Sequence, residues 1–234
     1  MFRLLCLIIG YAFGCIQSAY IIGKLTRGID IREHGSKNSG FTNANRVMGF
    51  KVGIWIFIAD ILKAVLAFLV AGWLFNGGNW FLHFDAGNWF LGMAGNDPRS
   101  LAFPVGRNGL IPGLWAGLGV VLGHNFPVFM KFRGGKGIAS TIGILLMLDW
   151  RAAVIIYVIA ALLVLLTRYI SLASLVITLL MPVFMALFGH GWEVVAVTAC
   201  LTALAWFMHR GNIHRLVKGT ERRFSFKGKS GNPT

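Results

Sequence analysis

Seven apolar runs, at residues 4–22, 52–75, 110–130, 138–148, 152–166, 170–188 and 192–208, leave this chain few folds to choose from. Crossing about 30 Å of hydrocarbon takes roughly 20 helical residues, and an isolated helix satisfies its own backbone hydrogen bonds in lipid. The reading is an all-α, polytopic integral membrane protein with seven transmembrane helices, two of them short. A content of 56% hydrophobic against 13% charged residues, with mean hydropathy +0.71, excludes an ordinary soluble domain. The two short runs, divided only by Asp149-Trp150-Arg151, also admit a thin hairpin that stops short of the far side. Five spans would then remain, and the chain ends would keep their sides. No internal repeat or coiled-coil heptad divides the sequence, so residues 1–234 read as one domain, with a flexible basic tail over 222–234. The segment 76–109, with Trp80, Phe81, Trp89 and Phe90, reads as an aromatic belt along the outer interface.

A formal charge of +14 suits either nucleic acid or a membrane surface, and the placement of the charge decides between them. With the N-terminus outside, the inner segments hold seventeen Lys and Arg. The outer ones hold four, Arg3, Arg99, Arg107 and Arg151, and Lys63 lies within the second run. Such asymmetry follows the positive-inside rule and puts the C-terminus in the cytoplasm, with no nucleic-acid partner required. The tail's charge favours anionic inner-leaflet lipid. The first fifteen residues, ending Ala-Phe-Gly-Cys15, resemble a cleaved lipoprotein signal, yet the run continues through Ser18-Ala19-Tyr20, so the first span reads as uncleaved. Cys6, Cys15 and Cys200 sit in apolar runs with no disulfide or metal-ligand spacing.

Two polar stretches wedged against these runs, 35–46 (GSKNSGFTNANR) and 123–141 (GHNFPVFMKFRGGKGIAST), fall on the inner side. Polar, glycine-rich chain at that position is costly unless it lines a site. In the first stretch Ser36, Asn38, Thr42, Asn43, Asn45 and Arg46 supply hydroxyls, amides and a guanidinium suited to phosphate oxygens. A solvated loop with N-cap residues is the plain alternative. In the second, Gly134-Gly135-Lys136-Gly137 before an apolar helix reads as a phosphate cradle with Lys136 aimed at the anion, or else as a basic turn. It is not a nucleotide P-loop, because Met130 and Gly137 stand where that pattern needs Gly and Ser/Thr. A third polar run, 209–221, leaves the last span on the same side, with His209 and Asn212 three apart on one face if the helix continues. Asp60 and Lys63, also three apart, can pair on one face of the second run. Buried ionisable groups in a membrane are functional candidates, but a self-contained pair is equally well structural, so both are left out of the site. Glu193 reads as a water-facing residue at the outer interface.

These three runs, in this order and with these spans between them, resemble the three motifs of the bacterial acyl-phosphate-dependent glycerol-3-phosphate acyltransferases, and the resemblance covers nearly the whole chain. It implies a multi-pass enzyme of the bacterial inner membrane whose active site faces the cytoplasm. The enzyme would move a fatty acyl group from acyl phosphate to the 1-hydroxyl of glycerol 3-phosphate, giving lysophosphatidic acid and phosphate, the first acylation of phospholipid synthesis. Ser36, Asn38, Thr42, Asn43 and Arg46 would hold phosphate. Lys136 would bind phosphate and offset charge at the reacting carbonyl, and His209 and Asn212 would position glycerol 3-phosphate. Arg168-Tyr169-Ile170-Ser171 resembles a further family element, which adds Ser171 and Ser174 as substrate-binding residues. Lys37 and Ser39 depart from the family's usual small or apolar residues, and the outer segment is longer.

Acyl phosphate is already activated, so alignment of the hydroxyl and stabilisation of an oxyanion would suffice, without cofactor or metal. None of the six histidines has Asp five residues later, so the His-x4-Asp signature of acyl-CoA-dependent acyltransferases is missing. A substrate phosphate is the expected proton acceptor, ahead of His209. A small transporter of a phosphorylated or anionic solute accounts for spans and basic sites, but a conduit would place polarity on both faces. A lipid-binding scaffold accounts for the tail alone.

Overall fold

The computed structural model describes residues 1–75 and 107–225, and every regular element among them is helical. The helices are α1 (Phe2–Gly14), α2 (Ser18–Arg27), α3 (Phe41–Met48), α4 (Phe50–Phe75), α5 (Arg107–Asn125), α6 (Ile138–Leu148), α7 (Trp150–Thr167), α8 (Ile170–Leu187), α9 (Trp192–Met208) and α10 (Arg210–Val217). Short 3-10 turns stand at Ile31–Glu33 and Val128–Met130. Among the described residues, five stretches are long and apolar enough to cross a membrane: Phe2–Arg27, Phe50–Phe75, Leu110–Met130, Trp150–Thr167 and Ile170–Leu187. Joined across a 63° bend, α9 and α10 form a sixth. The chain is a multi-pass membrane protein. The fourth apolar run forms α6, whose 11 residues reach only about 17 Å, half the hydrocarbon thickness. Residues 76–106, most of the aromatic outer segment, lie outside the described residues.

The first run is not one straight helix. It breaks between Gly14 and Ser18, where buried Gln17 turns its side chain to the chain's own polar groups. The Gln17 amide donates to the carbonyls of Gly14 and His124, both at 3.2 Å, and its Oε1 accepts from Ser39 Oγ at 2.9 Å. One glutamine thus ties the first polar stretch to the end of α5.

Small residues set the central packing. A Cβ built on Gly10 would lie 1.8 Å from the Ala116 carbonyl oxygen, and one on Gly14 2.3 Å from that of Val120. On the facing helix, a Cβ on Gly119 or Gly123 would lie 2.2 or 2.3 Å from the Leu7 or Tyr11 carbonyl oxygen. Two Gly-x3-Gly pairs therefore let α1 and α5 touch backbone to backbone, the favoured contact where lipid offers no hydrophobic drive between helices. Gly113 likewise admits the ring of Phe68, which is fully buried.

Polar clamps close the end remote from the three motifs. Asp149 caps α7 through the amides of Arg151 and Ala152 and bonds the side chains of Arg151 and His190. Glu193, expected to face water, instead pairs with Arg3 Nε at 2.6 Å and accepts from Trp115 Nε1 at 2.7 Å.

Candidate functional site

At the other end the three motifs converge on a cavity of about 490 Å³. The ten residues assigned a site role from the sequence all line it: Ser36, Asn38, Thr42, Asn43, Arg46, Lys136, Ser171, Ser174, His209 and Asn212. Asn45, also read as a donor suited to phosphate, does not line it and bonds the Ser225 carbonyl instead. Their elements reach it by separate routes. The 31–40 loop and α3 form one wall, the glycine loop before α6 the floor, and the first turn of α8 with α10 the opposite wall.

The first stretch is folded around Asn43. Its Nδ2 faces the carbonyls of Ile31, His34 and Asn38 at 3.0 to 3.1 Å, and its Oδ1 accepts the Ser36 N–H at 2.7 Å. Gly35, at φ 61°, must be glycine here, since its Cβ would lie 2.3 Å from Asn43 Oδ1. Asn43 therefore shapes the loop rather than offering its amide outward. Arg46 is half-buried, and among the described residues no carboxylate lies within ion-pair distance of it. Burial, with Arg222 and Arg215 nearby, works against its positive charge.

The glycine loop is built differently from a backbone cradle. The N–H groups of Gly134 and Gly135 donate inward, to the carbonyls of Asn125 at 3.1 Å and His124 at 3.0 Å. A Cβ at Gly134 would lie 1.9 Å from the His124 carbonyl oxygen, so these glycines serve close packing onto α5. Lys136 is left as the loop's reaching group, ahead of the N-terminus of α6. Its ammonium donates to Asn212 Oδ1. Burial lowers its pKa to about 8, with Arg215 and Arg46 acting in the same sense and Glu221 against it.

Glu221 organises the far wall, a role the sequence reading did not assign. Its carboxylate accepts from Asn212 Nδ2 and Arg215 Nε, both at 2.7 Å, and from Ser171 Oγ at 2.9 Å. Burial alone would raise its pKa, but these hydrogen bonds hold it below the ordinary carboxylate value. The His209 ring lies at the bend between α9 and α10, with Nδ1 2.8 Å from the Ala205 carbonyl. A carbonyl only accepts, so Nδ1 carries the hydrogen and Nε2 is the basic atom. Ser174 spends its hydroxyl hydrogen on the Ile170 carbonyl at 2.9 Å.

The start of the basic tail is not free chain. The Phe224 N–H donates to the Arg168 carbonyl at 2.7 Å, its ring packs 5.9 Å from that of Phe41, and Asn45 Nδ2 donates to the Ser225 carbonyl at 3.3 Å. Arg222 and Phe224 thereby join the cavity wall. Phe41, Phe57 and Phe224, with Phe41 5.4 and 5.9 Å from the other two rings, make one flank of the cavity apolar. Four cations, Arg46, Lys136, Arg215 and Arg222, face Glu221, while the other lining carboxylate, Asp60, is matched by Lys63. The balance favours an anion beside an apolar group.

The family model described as glycerol-3-phosphate acyltransferase matches residues 4–219. A relative of that name from Thermoanaerobacter sp. (strain X514) is 36% identical over 97% of this chain and 98% of its own, and one from Alkaliphilus metalliredigens is 35% identical with the same coverage. Two crystal structures of PlsY, an integral membrane glycerol 3-phosphate acyltransferase, superpose at similar extent. The glycerol 3-phosphate form has a TM-score of 0.75 and 31% identity, covering 95% of this chain and 96% of that one. The lysophosphatidic acid form has a TM-score of 0.74 and 30% identity, covering 96% of each.

Proposed function

The chain belongs to the glycerol-3-phosphate acyltransferase family, and we propose that this cavity acylates the 1-hydroxyl of glycerol 3-phosphate with acyl phosphate as donor. The observation that carries this reading is the surplus of cations around Lys136, with an apolar flank beside it, which suits two phosphate-bearing substrates of which one trails a fatty chain. Arg46, with no carboxylate partner among the described residues, and Lys136 supply charge for the phosphates. Ser36, Asn38 and Thr42 supply neutral donors, while Asn43 keeps their loop in shape. Asn212, Ser171 and Glu221 hold Lys136 and α10 in place.

In the step itself, the 1-hydroxyl oxygen attacks the acyl carbonyl carbon and the carbon–oxygen bond to phosphate breaks. The hydroxyl proton goes to a phosphate oxygen of the departing group, so no acyl-enzyme forms. His209, fixed by its bond to the Ala205 carbonyl, positions glycerol 3-phosphate, and the 1-hydroxyl keeps its hydrogen for the phosphate. Lys136 offsets the negative charge that grows on the carbonyl oxygen, an interaction strongest in the transition state.

The membrane setting we infer is seven passes in the bacterial inner membrane, with the short α6 among them, the N-terminus outside and the cavity open to the cytoplasm. The seventeen-to-four distribution of loop Lys and Arg supports it. The deciding experiment uses purified protein in detergent with acyl phosphate and glycerol 3-phosphate, following phosphate release and lysophosphatidic acid together. Turnover of acyl phosphate but not of acyl-CoA is expected. Activity with acyl-CoA alone would remove the donor assignment, and solute flux in vesicles without acylation would favour a transporter.

A further inference from the structure

Beneath the glycine loop lies a charged cluster that the reaction as described does not use. Asp60, Lys63 and His124 are 1%, 5% and 3% exposed, at a depth where polar groups are expensive. Lys63 Nζ lies 2.8 Å from Asp60 Oδ1, 2.8 Å from the Ile16 carbonyl oxygen and 2.9 Å from His124 Nδ1. These three contacts, shorter than the 3.4 Å to the Gly14 carbonyl, take up the three hydrogens of an ammonium. Ser18 Oγ adds a hydrogen bond to Asp60 Oδ1 at 3.0 Å. The pair is therefore not self-contained, and its third member belongs to the second polar motif.

An ammonium has hydrogens to give and no lone pair, so His124 Nδ1 must accept and the ring must carry its hydrogen on Nε2. That Nε2 edge meets the glycine loop. A Cβ on Gly135 would lie 2.0 Å from Nε2, so the loop can pack this closely against that atom only because residue 135 has no side chain, and both His124 and Asp60 line the cavity beside Lys136 and Gly137. Burying an ion pair seldom increases stability over apolar residues of the same size, which makes a packing role a poor explanation of this cluster.

We propose that His124 is a substrate-binding residue, whose Nε2–H donates to a phosphate oxygen held over the Lys136 loop, and that Lys63 and Asp60 are positioning residues that fix its tautomer. The assignment of a phosphate ligand rests on the acyltransfer reading above. Either substrate could supply that oxygen, and separate KM values for glycerol 3-phosphate and acyl phosphate identify which one does.

The test starts from wild-type turnover, then compares His124→Leu with His124→Gln, which keeps an N–H at similar reach. Leu should lower kcat/KM by about 10- to 100-fold, the usual effect of losing a hydrogen bond to a charged group, mostly through KM. Gln should recover to within a few-fold. A histidine 15N NMR spectrum of the wild type should hold one ring in the Nε2–H tautomer across about pH 6 to 8. The paired change Asp60→Asn with Lys63→Met, which leaves no lone buried charge, should release that ring into a mixture. Near wild-type kcat/KM in His124→Leu, equal loss in Leu and Gln, or hydrogen on Nδ1 of the ring whose signals vanish in His124→Gln would each overturn the proposal, His209 being the ring expected to carry hydrogen on Nδ1. If the wild type fails to turn over, the acyltransfer reading falls on its own. Inorganic phosphate binding to wild type and His124→Leu still decides the role of His124, with equal affinities overturning it.

Discussion

Lys136 should write its titration into the pH dependence of the reaction. Burial brings its pKa down to about 8, and binding a phosphate dianion or offsetting an oxyanion requires its charged form. The sign follows directly: the useful cation is present below pH 8 and is lost as pH rises through that value. About nine tenths of the free enzyme carries the charge at pH 7 and about one tenth at pH 9, so kcat/KM should fall close to tenfold per unit above pH 8. Bound phosphate pulls the group's pKa back up, and the limb in kcat should therefore lie at higher pH than the limb in kcat/KM. Lys136→Arg keeps its charge to about pH 12, so it should lose the alkaline limb while running more slowly, because a planar fork replaces a compact ammonium against Asn212. Lys136→Ala should cost about 10² to 10³ in rate without loss of folding. The assay is phosphate release with purified enzyme from pH 6 to 10, corrected for enzyme-free hydrolysis of acyl phosphate. A wild-type kcat/KM that stays flat to pH 9.5, or the same limb in Lys136→Arg, refutes the assignment.

Arg46→Gln should raise KM for a phosphate substrate by about 10- to 100-fold with a smaller effect on kcat, since a charged hydrogen bond is lost, and unchanged KM values would count against its phosphate role. Gly10→Ala should lower the thermal unfolding temperature in detergent by several degrees, because the new methyl meets the Ala116 carbonyl at 1.8 Å and overpacking costs about 1–3 kcal/mol. Gly191→Ala, with nothing within 4 Å, should change it little. In a background lacking Cys6, Cys15 and Cys200, cysteines placed at exposed Lys37 and Lys218 should react with impermeant label only when the inner face is open, and labelling of both from outside reverses the orientation.

The sequence was most legible where polarity had no other use. In a chain this apolar, Ser36, Arg46, Lys136 and His209 are costly at a membrane face, so their clustering in three motifs pointed to one site, and the eight site residues assigned within those motifs line one cavity, as do Ser171 and Ser174, which the family resemblance supplied. Geometry within the cavity was not legible. Nothing in the spacing of Asn43 distinguishes an amide offered to phosphate from one that clamps three carbonyls of its own loop. Glu221 was hidden because its importance comes from Ser171, Asn212 and Arg215, partners up to fifty positions away. The break at Gln17 left one signal, a lone amide within an apolar run, and the facing Gly-x3-Gly pairs of α1 and α5 were present but lie 105 or more residues apart.

The inward-turned glycines change which part of the molecule must recognise phosphate. In a backbone cradle the N–H groups bind the anion, and side chains can vary around them. Here Gly134 and Gly135 have given their N–H groups to α5, so recognition passes to side chains and to the open first turn of α6. Side-chain cations carry a solvation cost when buried, visible in the lowered pKa values of Lys136 and Arg46. A phosphate dianion relieves that cost at both residues at once, and their mutual repulsion in the empty cavity adds to the gain on binding. Release of inorganic phosphate restores the repulsion, so departure of the product is opposed by the same charges that attract the substrate. Higher ionic strength screens exposed Arg215 and Arg222 more than half-buried Lys136 and Arg46. Moderate salt should therefore leave the hold of the buried pair on substrate and product nearly intact, and kcat and kcat/KM should both stay nearly constant over that range. A parallel fall of both from the lowest salt would mean that the exposed arginines, rather than the buried pair, hold the substrate.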